Sequence, residues 1–185
     1  DILNLVYLSG YFGLPEVANY WNQVVVLNTW QQERIYKIVL EKLFGTVNGK
    51  NIAILGFSFK ANTNDTRESP AIRISSDLLE EGALLSIYDP KVSFERIEED
   101  FEKFSCNNQG IWKMANSIPE ALKNVDAVLI LTAWDEFFGL DWSFLASLMR
   151  SPAWVFDTRS VVNRKEIENT GINLWKLGEG SKTTT

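Results

Sequence analysis

The chain has 185 residues, 45% hydrophobic and 23% charged, which suits one globular domain with a substantial core. Its 18 Lys and Arg against 24 Asp and Glu leave a net charge of −6, arguing against nucleic acid or an anionic membrane as principal partner. With no histidine and one cysteine, Cys106, a Ser-His-Asp triad, a Cys-His pair, a His-rich metal site and an internal disulfide are excluded.

The chain opens Asp1-Ile2-Leu3-Asn4, without an initiator Met or a signal peptide, and is expected to be a piece of something longer. Residues 2 to about 45 read as helix, broken at Gly10 to Gly13 and restarted at Pro15. Val17, Trp21, Val24, Asn28, Gln31, Ile35, Ile38 and Leu43 recur mostly at steps of three or four, a largely apolar stripe. It either packs on the rest of the chain or docks on another domain or subunit. Its length exceeds what one small sheet covers, so subunit association is expected. Thr46 to Lys50 is a turn signal that ends this arm.

From residue 51 short apolar runs alternate with amphipathic stretches. Residues 51–57, 84–90, 126–134, 153–159 and 172–177 are nearly continuously apolar, as parallel strands covered on both faces are. None is long enough to span a bilayer. Ser69-Pro70 opens a helix that Gly82 stops. Residues 93–104 carry five acids and two bases, a solvated helix face. Ser117 to Glu120 matches a capping box, and Asp141 caps a helix running toward Arg150. The expected fold is α/β, a Rossmann-like doubly wound parallel sheet in three α/β/α layers, preceded by a long helical arm. The expected divisions are 1–48 (helical arm), 49–178 (α/β domain) and 179–185 (disordered tail).

Ligands of such a fold bind beyond the carboxyl ends of the strands. After the first run, Gly56 stands alone, so the G-x-G-x-x-G fingerprint is missing. In its place a long polar loop carries Lys60 and Arg67 into a helix N-terminus. The two cations form a diphosphate site, or Arg67 pairs with Asp65 or Glu68 in a solvated loop. Arg159, in Asp157-Thr158-Arg159-Ser160, either reaches the same crevice or pairs with Asp157. Asp89 grips a ribose or only forms the Asp-Pro turn. Asp135 and Glu136 read as structural neighbours that point apart. Cys106 has no base or cationic run beside it to make it a nucleophile.

The stretch GFSFKANTNDTRESPA, with IYDPK, LTAWDEF and FDTR at the later strand ends, resembles the C-terminal domain of the UDP-glucose/GDP-mannose dehydrogenase family. The opening DILNLVYLSGYFGLPEVANYW, followed by NQVVVLNTWQQERI, is similar to the family's central connecting helix, in the form found among animal-type UDP-glucose 6-dehydrogenases. The resemblance runs to about Gly178. It implies oxidation of C6 of a nucleotide sugar, twice, with two NAD, through a thiohemiacetal and a thioester on a cysteine. UDP-glucose would give UDP-glucuronate. Carried over by position, it implies that Asp1 activates the hydrolytic water. Phe59, Lys60 and Arg159 would hold the nucleotide sugar, and Arg67 would contact NAD bound mainly on an N-terminal NAD-binding domain of the same enzyme. Lys60 and Arg67 would then serve two ligands across a cleft.

The sequence departs from the family pattern in places. The family cysteine would precede Asp1, and Cys106 does not align with it. The glycine fingerprint and the central-domain lysine are not in this chain. Thr158 and Ser160 stand where the family often has Gly and Asn. The lone cysteine fits a cytoplasmic setting, the acidic balance speaks for no nucleic acid and no membrane partner, and no metal is expected. The resemblance implies a chain that is inactive alone, with homo-oligomerisation expected through the long helix. Beside it stand a nucleotide-binding or interaction module without catalysis, and a GDP-mannose or UDP-N-acetylhexosamine dehydrogenase.

Overall fold

The computed structural model describes residues 2–104 and 109–179. Asp1, Cys106 and residues 180–185 of the expected tail lie outside the described residues. Glu179, the first residue of that tail, is ion-paired with Arg164.

Two helices come first, α1 (Ile2–Tyr11) and α2 (Pro15–Lys42), with Pro15 in the first turn of the second. Then follow β1 (Asn51–Leu55), α3 (Pro70–Glu80), β2 (Leu84–Tyr88), α4 (Phe94–Phe104), β3 (Ile111–Met114) and α5 (Ile118–Ala121). The chain continues through β4 (Ala127–Ile130), a 3-10 turn (Asp135–Phe137), α6 (Trp142–Leu148), β5 (Ala153–Asp157), α7 (Arg164–Ile167) and β6 (Ile172–Lys176). All strand pairs are parallel, in the order β3-β2-β1-β4-β5-β6. This is the doubly wound order, whose direction reverses between β1 and β4.

The expected caps are present. Ser69 accepts the Ala71 amide at the start of α3, and Asp141 accepts the Phe144 amide at the start of α6. Ser117 accepts the Glu120 amide, but the Glu120 carboxylate takes the amide of Asn116 at 2.9 Å rather than that of Ser117. The box is therefore shifted by one residue on its return arm.

Five strands were expected and the sheet has six. The additional one, β3, is an edge strand whose residues alternate between exposed and half-buried. It is covered too little to need a continuous apolar run. Gly110, just before it, lets the chain pass close to β2, since a Cβ there would sit 2.1 Å from the Ala83 carbonyl oxygen.

Two cores flank the sheet. On one face Ile52, Ile54, Leu85 and Ile87 pack under α3 and α4; on the other Ala53, Leu55, Val128 and Ile130 pack under α5 and α6. The expectation that the long apolar stripe packs on the rest of the chain is met in the second half of α2. Ile35, Val39 and Leu43 join the first core, and Glu33 pairs with Arg73 of α3 at 2.9 Å. Burial of each of these aliphatic side chains contributes roughly 1.5–3 kcal/mol, which fixes this half of the helix on the sheet. The other half leaves Val17, Tyr20, Val24, Leu27 and Trp30 exposed, and α1 has no buried residue. Residues 93–104 are not a purely solvated face, because Asp100 is buried and paired with Arg96 at 3.2 Å.

Candidate functional site

The site forms at the topological switch point, where the loops after β1 and β4 part. Gly56 turns the chain out of β1 at φ +88°, and a Cβ there would lie 2.4 Å from the Cβ of Thr132, just after β4. The following loop is tied down from several sides. Asp89 Oδ2, at the end of β2, accepts the amides of Phe57 and Ser58 at 2.7 and 3.0 Å. Thr132 donates to the Ser58 carbonyl at 2.6 Å, and Ser69 donates to the Phe57 carbonyl at 2.7 Å. The amide of Phe59 donates to the Asp65 carbonyl at 2.9 Å, closing the loop on itself. The side chains of Phe59 and Lys60 stand exposed on this fixed platform.

Asp89 has no capacity left for a ribose. Its Oδ2 also accepts the Trp134 indole N–H at 3.1 Å, and its Oδ1 accepts the amides of Lys91 and Val92 at 2.9 and 3.0 Å. The turn-forming expectation holds, with a wider reach than an Asp-Pro turn implies. Asp157 works alike at the end of β5, accepting the amides of Arg159 and Val162 at 2.9 and 2.8 Å. The Arg159 guanidinium is therefore not paired with Asp157. Its Nε donates to the Leu131 carbonyl at 2.7 Å. Partial burial lowers the Arg159 pKa from its ordinary value, yet arginine stays charged at neutral pH. Ser160 takes the left-handed conformation, φ 58°, while Thr158 hydrogen-bonds the Ile130 carbonyl through its hydroxyl at 2.7 Å.

Phe59, Lys60 and Arg159 line one hollow of about 480 Å3 between α2 and the carboxyl ends of the strands. Arg67 does not line it. Its guanidinium grips Asp65 bidentately, Nε to Oδ1 at 2.9 Å and Nη2 to Oδ2 at 2.7 Å. Those bonds hold the Asp65 carboxyl down at about 2. Arg67 instead lines a second hollow of about 500 Å3 with Lys91 and Arg96, between its own loop and the start of α4, and shares a further one with Phe59 and Lys103 beside α4. Arg96 is held there by Thr66 Oγ1 at 2.7 Å. The two loop cations thus face different hollows, and the reading of a single diphosphate between them is set aside.

Trp134, Asp135 and Glu136 are structural neighbours, with Glu136 accepting the Tyr88 hydroxyl at 3.2 Å. Burial first, and Glu136 second, raise the pKa of Tyr88. Among the described residues no group of three His, Cys, Asp or Glu side chains is placed to hold a metal ion. Among them, too, no helix is long and apolar enough to cross a membrane. Asn28 and Gln31, expected only as members of the apolar stripe, line the first hollow together with the neighbouring Gln32. The signal for the first two was present, as carboxamides within an otherwise apolar stripe.

Residues 53–164 match the UDP-glucose/GDP-mannose dehydrogenase family, UDP binding domain. The chain is 42% identical over 189 residues to UDP-glucose 6-dehydrogenase of Drosophila melanogaster, covering 100% of this chain and 40% of that protein. It is 41% identical over 192 residues to UDP-glucose 6-dehydrogenase 2 of Oryza sativa subsp. japonica, covering 97% of this chain and 40% of that protein. The chain thus spans about 40% of the length of these curated relatives. Among solved structures, a UDP-glucose dehydrogenase from the hyperthermophilic archaeon Pyrobaculum islandicum superposes with a TM-score of 0.68 at 24% identity, over 95% of this chain and 35% of that one. The NDP-N-acetyl-D-galactosaminuronic acid dehydrogenase of Methanosarcina mazei Go1 gives 0.64 at 18% identity, over 91% and 31%. At these identities the two structures speak for the fold. The six-stranded order, the loop from Gly56 to Ser69 and the match over residues 53–164 agree: the chain belongs to the UDP-glucose/GDP-mannose dehydrogenase family.

Proposed function

We propose that this chain supplies the nucleotide-sugar-binding part of a UDP-glucose 6-dehydrogenase, which oxidises C6 of UDP-glucose twice to UDP-glucuronate with NAD as the hydride acceptor. The observation that carries this is the convergence of Phe59, Lys60 and Arg159 on one hollow at the switch point. In the proposal Arg159 offers a planar fork to the diphosphate, its Nε already fixed by the Leu131 carbonyl. Lys60 adds a point charge, and Phe59 a flat apolar face at the rim.

The described residues do not build a dinucleotide cradle for NAD. The β1 turn has one glycine, filled against Thr132, and Asp89 is fully engaged. NAD therefore belongs, in this proposal, to an N-terminal NAD-binding domain of the same enzyme, and Arg67 reaches it across the cleft. Asp1 would be the base that activates the hydrolytic water. Residues 1–48 are assigned to a central dimerisation domain and 49–178 to the nucleotide-sugar domain. The exposed apolar side chains of α1 and the first half of α2, such as Tyr7, Tyr11, Phe12 and Leu27, would meet a second copy in a homo-oligomer. The lone cysteine fits a cytoplasmic setting.

A thermal-shift comparison tests the proposal. UDP-glucose should raise the unfolding midpoint of the chain, since a ligand that binds only the folded state stabilises it. GDP-mannose should do so less, and the chain mixed with UDP-glucose and NAD should form no NADH. A larger shift with GDP-mannose, or NADH formation by this chain alone, would contradict it.

A further inference from the structure

The loop between β1 and α3 is pinned in two places by different elements. Its first part, Phe57 and Ser58, is held by Asp89 after β2 and by Thr132 after β4. Its second part, Asp65 to Arg67, is held from α4. Thr66 is fully buried, and its hydroxyl oxygen accepts Arg96 Nε at 2.7 Å. The other end of that guanidinium meets Asp100 Oδ1 at 3.2 Å, where the carboxylate is 5% exposed. Asp100 Oδ2 has no hydrogen-bond partner among the described residues. A buried carboxylate is costly unless it is paired, so Asp100 fixes Arg96 from behind. α4 does not drift with the loop, because Ile97 and Phe101 sit in the core. Phe101 also packs edge-on against Phe57, with ring centroids 5.5 Å apart.

Thr66 stands between Asp65 and Arg67, whose side chains grip each other across two positions. That pair is exposed and local, so it moves as a unit with the backbone that carries it. The backbone bonds of the segment, from the Phe59 amide to Asp65 and from the Ser69 amide to Thr66, run within the loop itself. The Thr66 side chain is what ties the segment to α4. Lys60 takes no part in this clamp and follows Ser58, which Asp89 and Thr132 hold. We propose that Arg96, fixed by Asp100, is a positioning residue that acts through Thr66 to set Arg67 for NAD. The Asp89 and Thr132 clamp separately sets Lys60 for the nucleotide sugar. This inference rests on the reading of Lys60 and Arg67 as serving two ligands. It adds that each cation has its own support, placed before its ligand arrives, which lowers the ordering cost of binding.

Steady-state kinetics of the intact enzyme carrying this chain, with NAD and UDP-glucose varied in turn, test the two supports. Thr66→Val keeps the shape of the side chain and removes the acceptor. It should raise KM for NAD roughly three- to tenfold and leave KM for UDP-glucose unchanged. Thr66→Ser, which keeps the hydroxyl, should stay close to the unsubstituted KM for NAD. Arg96→Met should act as Thr66→Val does; because it leaves Asp100 unpaired in the interior, Thr66→Val decides if that variant fails to fold. Thr132→Val, which removes the donor to the Ser58 carbonyl, should raise KM for UDP-glucose by a similar factor and spare NAD. Arg67→Ala removes the NAD contact itself. If it raises KM for NAD while Thr66→Val leaves that KM unchanged, or raises both KM values alike, the inference is overturned and the reading of Arg67 stands. If Arg67→Ala leaves KM for NAD unchanged, both fall together.

Discussion

The carboxylate of Asp89, closing β2, accepts the indole N–H of Trp134, beyond β4, at 3.1 Å. This bond crosses over the end of β1 and brings the neighbouring strand ends together beneath the loop that carries Lys60. Because the same carboxylate holds four backbone amides as well, its removal leaves buried donors without partners. Asp89→Ala should cost about 3 kcal/mol or more, and Trp134→Phe about 1 kcal/mol for the indole bond. Urea denaturation of the two variants measures this, and equal losses would place the weight on the indole instead.

Gly56→Ala should be among the most damaging small substitutions in the loop. The new methyl would meet the Thr132 side chain and backbone within 2.8 Å, at a φ of +88° that alanine rarely adopts. Strain and displacement together should exceed about 2 kcal/mol. The same displacement would move Ser58 and so Lys60, so any nucleotide affinity should fall with stability.

The Asp65–Arg67 pair carries its own pH signature. The hydrogen bonds from Arg67 hold the Asp65 carboxyl down from 3.8 to about 2. The folded loop therefore favours the carboxylate. The contribution of the pair is complete above the ordinary carboxylate range and is lost as pH falls through about 2. In Arg67→Met the Asp65 carboxyl should titrate higher but still below its ordinary value, because the amide of residue 67 goes on donating to Oδ1 at 3.0 Å, a shift that carbon-detected NMR of the side chain reads directly.

The exposed apolar face of the α1–α2 hairpin predicts self-association. Tyr11 and Leu27 are 74% and 62% exposed, with further apolar side chains around them. Tyr11→Arg with Leu27→Arg should lower the solution mass measured by sedimentation, without lowering the unfolding midpoint of the α/β domain. A wild-type chain that sediments as a monomer at high concentration would remove the association.

Much of this fold was legible because local rules and tertiary packing agree. β1, buried but for Asn51, and the fully buried β4 read as continuous apolar runs, and Ser69, Ser117 and Asp141 announced their helices. β3 was missed because an edge strand with one open side need not be apolar throughout. Of the site, Lys60 and Arg159 were visible as cations at strand ends, but their sharing of a hollow that excludes Arg67 depends on how the loop folds over Asp89. That relation joins residues 31 and 32 positions apart, which no short window reveals. Asn28 and Gln31 were read as members of an apolar stripe, since helical periodicity records which face a residue is on and not what lies opposite.

The account stands most directly on calorimetric titration of the chain with UDP-glucose, repeated with Lys60→Ala and with Arg159→Ala. It predicts saturable binding to the unsubstituted chain, weakened at least roughly tenfold by each substitution, as expected for loss of a charge-assisted contact. Absence of binding to the unsubstituted chain, or binding that both variants leave unchanged, would contradict it.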